Sequence, residues 1–449
     1  MGSGRPTGSF ETLWYARRVS DSPGSRHDPL AALRQRGFLW FSVARLASGV
    51  AQTSLQMALA WQVWVLSGSP LQLAALGLVR FVPQLLAALY AGAVADTYNR
   101  KRIVQVAQSV PAGCAAALLV ATASGAVSLP LIYGLVVLIA LASAFDAPAR
   151  QSLLPSIVRE DTFQNAITIG STIQSLAFVS GPGLGGLLIA EGGVEAVYAA
   201  NVVLLLVALV AVTALRPRPV STPPRAVTWA AIKEGVQFVR SRQPLLGSMT
   251  LDMFAVVFGG AQALLPIYAD QILNVGPSGL GILTASMNGG ALLMSLAMIL
   301  LPTVERTGRT LLLSVAAFGV ATMAFGLARS FPFAVAAYMS VGMADQVSVV
   351  MRQTTIQLST PDYLRGRVSA VAQLFVGSSN QLGAVESGFV AAATNATFAV
   401  VSGGAACLAV VGVIAVTMKE LRTYTIRDVI EAAREDAAAA QTSSEAAGG

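Results

Sequence analysis

Charge is what this sequence lacks. Only 11% of its 449 residues are Asp, Glu, Lys or Arg, while 55% are hydrophobic. An ordinary soluble domain carries about 25% charge. Depletion on this scale, with a mean hydropathy of +0.66, excludes a soluble globular fold and leaves lipid as the solvent for most of the chain. Cysteine is nearly absent too. Cys114 and Cys407 both lie in apolar runs without CxxC spacing, so a disulfide framework is excluded and both are expected to pack. The one histidine, His27, stands in a polar stretch without neighbouring ligands, so no metal centre is expected. No Walker loop and no HExxH occurs, and scattered acids do not make a catalytic cluster. An enzyme, a resident cofactor and a nucleotide-driven pump on this chain are therefore not expected. The net charge of +7 is not gathered into a basic stripe with interleaved aromatics, so no nucleic-acid partner is expected either.

What is present is a series of apolar runs. A membrane-spanning helix needs about 20 mostly apolar residues. Twelve candidates satisfy this, near 38–64, 71–95, 103–124, 128–149, 164–190, 194–215, 245–270, 278–302, 310–329, 332–352, 367–393 and 396–418. Gly, Pro, Ser or charge separates them, as in Ser67-Gly68-Ser69-Pro70 and Glu191-Gly192-Gly193. The fold class is thus an all-α polytopic membrane protein of twelve helices. Residues 1–36 are expected to be a disordered cytoplasmic tail rather than a signal peptide, for want of an apolar core. Six helices in 37–215 and six in 244–418 flank a polar linker, 216–243, and 419–449 reads as a second tail.

The basic residues test this topology. With the N-terminus in the cytoplasm and alternating spans, all 29 Lys and Arg except Arg45, Arg80 and Arg329 fall on the cytoplasmic side. That is a strong positive-inside bias for both ends in the cytoplasm. The halves also echo each other. Arg150-Gln151 with Glu160, assigned to the loop between helices 4 and 5, and Arg352-Gln353 with Asp362, between 10 and 11, stand 202 residues apart. Two parallel six-helix repeats are a known transporter plan, with the ligand site between them near mid-membrane.

Local motifs carry a resemblance. Gly92-Ala-Val-Ala-Asp96-Thr-Tyr-Asn99-Arg100-Lys101-Arg102 resembles the signature between helices 2 and 3 of the major facilitator superfamily. Thr97 replaces its usual base and Asn99 its usual glycine, and asparagine tolerates a left-handed turn. Gly181-Pro182-Gly183-Leu-Gly185-Gly186 resembles the helix-5 motif of the superfamily's exporters, with Ala177 at a position that is usually glycine. The same letters spell G-x-G-x-x-G, but no strand precedes them, which excludes a dinucleotide site. Asp146-Ala-Pro148-Ala-Arg150 and Arg365-Gly366-Arg367, together with Arg80-Phe-Val-Pro83, look like the enterobactin (siderophore) and macrolide-type drug exporters of the superfamily. The resemblance implies a secondary transporter in a bacterial inner membrane, a monomer that exports a small organic substrate, siderophore-like or amphiphilic, against protons. It also implies that the loop motifs lock one conformation by ion pairs on the cytoplasmic side. An uptake or metabolite permease of the same fold, or a membrane scaffold, is the alternative.

An ionisable group in mid-membrane costs several kcal/mol unless paired or wet, so each is a functional candidate. Within the spans stand Arg45, Arg80, Asp146, Asp252, Asp345 and Glu386, while Asp270 lies near an outer end. By the resemblance, helices 1, 4, 7 and 10 line the path, and Arg80 and Glu386 face each other across helices 2 and 11. The bland readings are that Arg45 snorkels and that Asp146 pairs with Arg150 at i+4. Met57, Phe81, Phe254, Phe258, Met287 and Met343 are apolar candidates for the cavity wall, and Trp40, Trp61 and Trp64 for interfacial anchors.

Overall fold

The computed structural model describes residues 30–218, 229–301 and 304–425. Its first four helices are α1 (Arg36–Ser67), α2 (Pro70–Thr97), α3 (Arg100–Ala123) and α4 (Leu129–Ile157). A long α5 (Phe163–Thr213) follows, then a short α6 (Trp229–Ser241). The second half has α7 (Gln243–Phe258), α8 (Gly276–Leu300), α9 (Thr307–Gly326), α10 (Phe331–Ser359), α11 (Asp362–Ala393), α12 (Ala396–Thr417) and α13 (Lys419–Thr423). Among the described residues no strand occurs. Nine stretches there pass as spans on length and hydropathy alone. One of them is α5, which folds back at Gly192 and Gly193 and so holds two spans. Gly193 adopts φ 72°, which a side chain would resist, so this hairpin needs glycine. The more polar α1 and α11 bring the helical segments of spanning length to twelve.

The helices overrun the expected loops. α4 continues to Ile157 and α10 to Ser359, so Arg150 and Arg352 are helical residues rather than loop residues. Pro148 and Pro155 do not end α4, because a proline mid-helix frees carbonyls that neighbouring helices can satisfy. Part of the linker is helical. Its α6 packs Val239 into a small core with Leu245, Leu364 and Val368, and Glu234 pairs with Arg367. The expected tails are pinned where they are described. Ala32 donates to Asn165 Oδ1 at 3.0 Å. The C-terminal segment docks Leu421 and Tyr424 on the start of α9, where the Tyr424 hydroxyl meets Ser359 Oγ at 2.7 Å. Burial raises the Tyr424 pKa. Residues 1–29, 219–228 and 426–449 lie outside the described residues.

The signature between α2 and α3 acts locally. Asn99 is not left-handed; at φ −62° it caps α3, accepting from the backbone N–H of Lys101 and Arg102. Asparagine is a favoured N-cap because its side chain satisfies otherwise orphaned donors. Lys101 Nζ donates to the Thr213 and Leu215 carbonyls, both at 2.7 Å. A cation at a helix C-terminus satisfies orphan acceptors and opposes the dipole. Lys101 thereby ties α3 to the end of α5. Gly92 and Arg100 lie in α2 and α3, and Gly366 lies in α11, whereas the side chains of Asp96 and Arg365 lie outside the described residues.

The two halves meet away from the basic loops. A Cβ on Gly186 would lie 2.7 Å from the Pro277 carbonyl oxygen and 2.9 Å from Gly281 Cα. The α5 and α8 backbones thus touch, as small residues permit in lipid. Gly388 of α11 abuts Ala74 and the Pro70 carbonyl of α2 in the same way. Trp64 Nε1 donates to Asp270 Oδ2 at 3.0 Å. Trp61 and Trp64 are buried in the core, and the contact between halves, not the lipid interface, takes Trp64. At the basic face each half keeps a separate apolar core, one around Phe38 and Leu153 and the other around Met249 and Val368.

Candidate functional site

Two cavities lie inside the bundle. The central one, about 630 Å³, is walled by both halves: α1, α2 and α5 on one side, α8, α11 and the segment around α7 on the other. The second, about 390 Å³, lies wholly within the N-terminal half, among α1 to α5. Gln56, Arg80 and Gln84 line both, so the two abut at these side chains. Contrary to expectation, neither α4 nor α10 contributes to the central cavity. The polar face of α4 is turned into the N-terminal cavity instead.

Arg80 is the one charged residue lining the central cavity among the described residues. Its other polar lining is neutral, chiefly the amides of Gln56, Gln84, Gln262, Asn288, Gln373, Asn380 and Gln381. Sequence reasoning passed over these amides because it followed full charges. An amide inside an apolar span also needs a partner, and that was the available signal. Of the apolar candidates, Met57 and Phe81 line this cavity. Phe254 and Phe258 instead stack on each other at 6.1 Å.

The intramembrane charges separate into three groups. Arg45, Arg80, Asp146 and Arg150 all line the N-terminal cavity. Arg150 Nε donates to Asp146 Oδ2 at 2.6 Å along one helix, and Arg45 reaches only a neutral partner, Gln174, at 3.4 Å. In the second group Asp252 pairs with Arg352 between α7 and α10. These two residues are only 6% and 4% exposed, and neither lines either cavity. Sequence alone gave Asp252 to the path and Arg352 to a loop; burial of the pair accounts for both. In the third group Asp345 and Glu386 are half-buried and line neither cavity. Glu386 accepts from Ser387 at 3.3 Å. No ion pair joins it to Arg80 among the described residues, although α2 and α11 do pack together.

The exporter-like motif of α5 carries the contact between halves. A Cβ on Gly181 would overlap Thr53 Oγ1, and one on Gly185 would lie 3.2 Å from Ser54 Cβ, so α5 lies tightly on α1. Pro182 has no N–H to give the Phe178 carbonyl, its partner one turn back. That carbonyl accepts from Asn288 Nδ2 of α8 at 3.2 Å. The proline thus leaves an acceptor in one half that the other half uses.

Comparison with known proteins places this architecture. The profile of the family described as transmembrane secretion effector matches residues 27–445. The chain is similar to the multidrug efflux pump Tap of Mycolicibacterium fortuitum, 26% identical over 393 residues, covering 84% of this chain and 95% of that one. It is similar to the enterobactin exporter EntS of Shigella dysenteriae, 27% identical over 284 residues, covering 62% of this chain and 67% of that one. Its fold resembles a bacterial homologue of the lysosomal transporter Spinster, TM-score 0.66 at 17% identity, over 89% of this chain and 97% of that one. It also resembles the nucleoside transporter NupG, TM-score 0.65 at 14% identity, over 86% and 99% of the two chains. With motifs, twelve-helix architecture and family match in agreement, the chain belongs to the transmembrane secretion effector family of the major facilitator superfamily, a multi-pass exporter of small molecules in the bacterial inner membrane and not an enzyme.

Proposed function

We propose that this transporter exports amphiphilic organic molecules, drug-like or siderophore-like, by proton-driven alternating access, as a monomer with both termini in the cytoplasm. The central cavity carries this reading. It lies between the halves and is walled by apolar side chains together with seven amides and one guanidinium. Apolar surface beside hydrogen-bonding amides suits an amphiphile, which presents both kinds of group. Efflux of several drugs and export of enterobactin by similar proteins support the same substrate range.

Placing the basic loops in the cytoplasm makes the closed face the outer one. The cavity then stands ready to load from inside. Rocking about the glycine contacts of α5 with α8 would open the other face. Asp146 is the one carboxylate lining either cavity among the described residues. In this reading it alternates between Arg150 and the coupling proton. Asp345 and Glu386 are its competitors, half-buried in other spans.

Everted membrane vesicles holding an imposed proton gradient test the reading. Adding hydrophobic drugs and catecholate siderophores in turn should dissipate the gradient with at least one class. Asp146→Asn should abolish that response. A gradient indifferent to both panels, in vesicles shown to contain folded protein, would remove the proposal.

A further inference from the structure

The N-terminal cavity holds two guanidiniums that no acid neutralises. Arg150 has Asp146, but Arg45 has only the Gln174 amide, and Arg80 has no acidic partner among the described residues. A cation within a membrane span is costly without a counter-charge or water. The surroundings are also unsatisfied. Gln108, 2% exposed, has neither amide atom hydrogen-bonded, and the Oδ1 of Asn201, 0% exposed, has no partner; both residues line this cavity. Buried polar atoms are normally paired, and such a cluster in a cavity marks a place for water or a ligand.

The charges lining the two cavities bear on the charge of the substrate. Arg80 faces both, and the central cavity has no carboxylate among its described lining. A cationic drug would meet a guanidinium there and no counter-ion. We propose that the substrate carries an anionic group, a carboxylate or an acidic phenol. Its apolar body fills the central cavity, while its anionic end meets Arg80 where the cavities join and enters the N-terminal cavity that Arg45 also lines. Guanidinium and carboxylate form charge-assisted bonds, strongest away from bulk water. This deepens the export reading by naming the charge of what is exported.

Binding tests it without requiring transport. Purified protein in lipid nanodiscs is titrated with three fluorescent probes sharing one body: 1-pyrenebutyrate, the neutral 1-pyrenebutanol, and the matching trimethylammonium cation. The carboxylate should bind about tenfold tighter than the cation. Arg80→Gln and Arg45→Gln should each remove most of that preference, the carboxylate losing far more affinity than the neutral probe. Arg80→Lys, which keeps the charge, should retain part of it and serves as the control for folding. Equal or tighter binding of the cation, binding of no probe by the wild type, or preference intact in folded Arg→Gln variants would each overturn the proposal. Proton-driven transport of the neutral or cationic probe by the same protein in sealed proteoliposomes would then leave the export reading standing.

Discussion

The two halves place an arginine at equivalent positions and use it in opposite ways. Arg150 of α4 holds Asp146 on its own helix at the edge of a cavity, with side chains 14% and 23% exposed. Arg352 of α10 reaches across to Asp252 of α7, sealed at 5% and 8%. The N-terminal pair is local and borders a cavity. The C-terminal pair bridges two helices and is dry. Buried ion pairs add little net stability over apolar contact, but removing one partner leaves an uncompensated charge. The comparison teaches that one half keeps its ion pair at a cavity wall, whereas the other buries it between two helices.

Breaking the dry pair should have the largest effect on folding. Asp252→Asn should cost about 3–5 kcal/mol, read as a collapse in melting temperature of the purified protein. The double change Asp252→Leu with Arg352→Met should recover most of it. If the single change melts like wild type, the pair is not the brace described here.

Next comes the seam between the halves. Gly186→Val drives a side chain into the Pro277 carbonyl and Gly281. The clash should cost the closed face about 1–3 kcal/mol. Spin labels placed across that face should then report longer distances, and efflux should slow. Asn288→Ala leaves the Phe178 carbonyl without its cross-half donor. This should shift the same distance distribution by about 1 kcal/mol, roughly fivefold in population. An unchanged distribution in both variants would show that these contacts do not hold the face shut.

Asp146→Asn should move stability least. A helical i,i+4 ion pair is worth about 0.3–0.5 kcal/mol. The melting temperature should therefore hold while the response to a proton gradient disappears and substrate counterflow persists. Loss of folding as severe as in Asp252→Asn would erase the contrast between the halves.

Much of the fold is legible in one dimension. Span count and the division into halves follow from run length and the position of the polar linker, and the motifs around Asp96 and Pro182 point to the superfamily. The site is less legible. Following full charges along the sequence finds Arg80 and Asp146 but gives Asp252 and Arg352 the wrong surroundings. It also passes over the amides that wall the central cavity. Nor does it show that Asn99 caps a helix and that Lys101 closes another one.

The physical reason is how each property is encoded. A bilayer of fixed thickness forces every backbone polar group into helices of set length and sorts positive loops to one side, so sequence by itself determined the twelve spans and their arrangement. Whether a charge inside a span is wet or sealed depends on the rotation of each helix about its axis and on which neighbour it meets. Only the tertiary structure decided that Asp252 would find an arginine 100 residues away, that the carbonyl freed by Pro182 would bond to the other half, and that Arg80 would stand uncompensated where two cavities join.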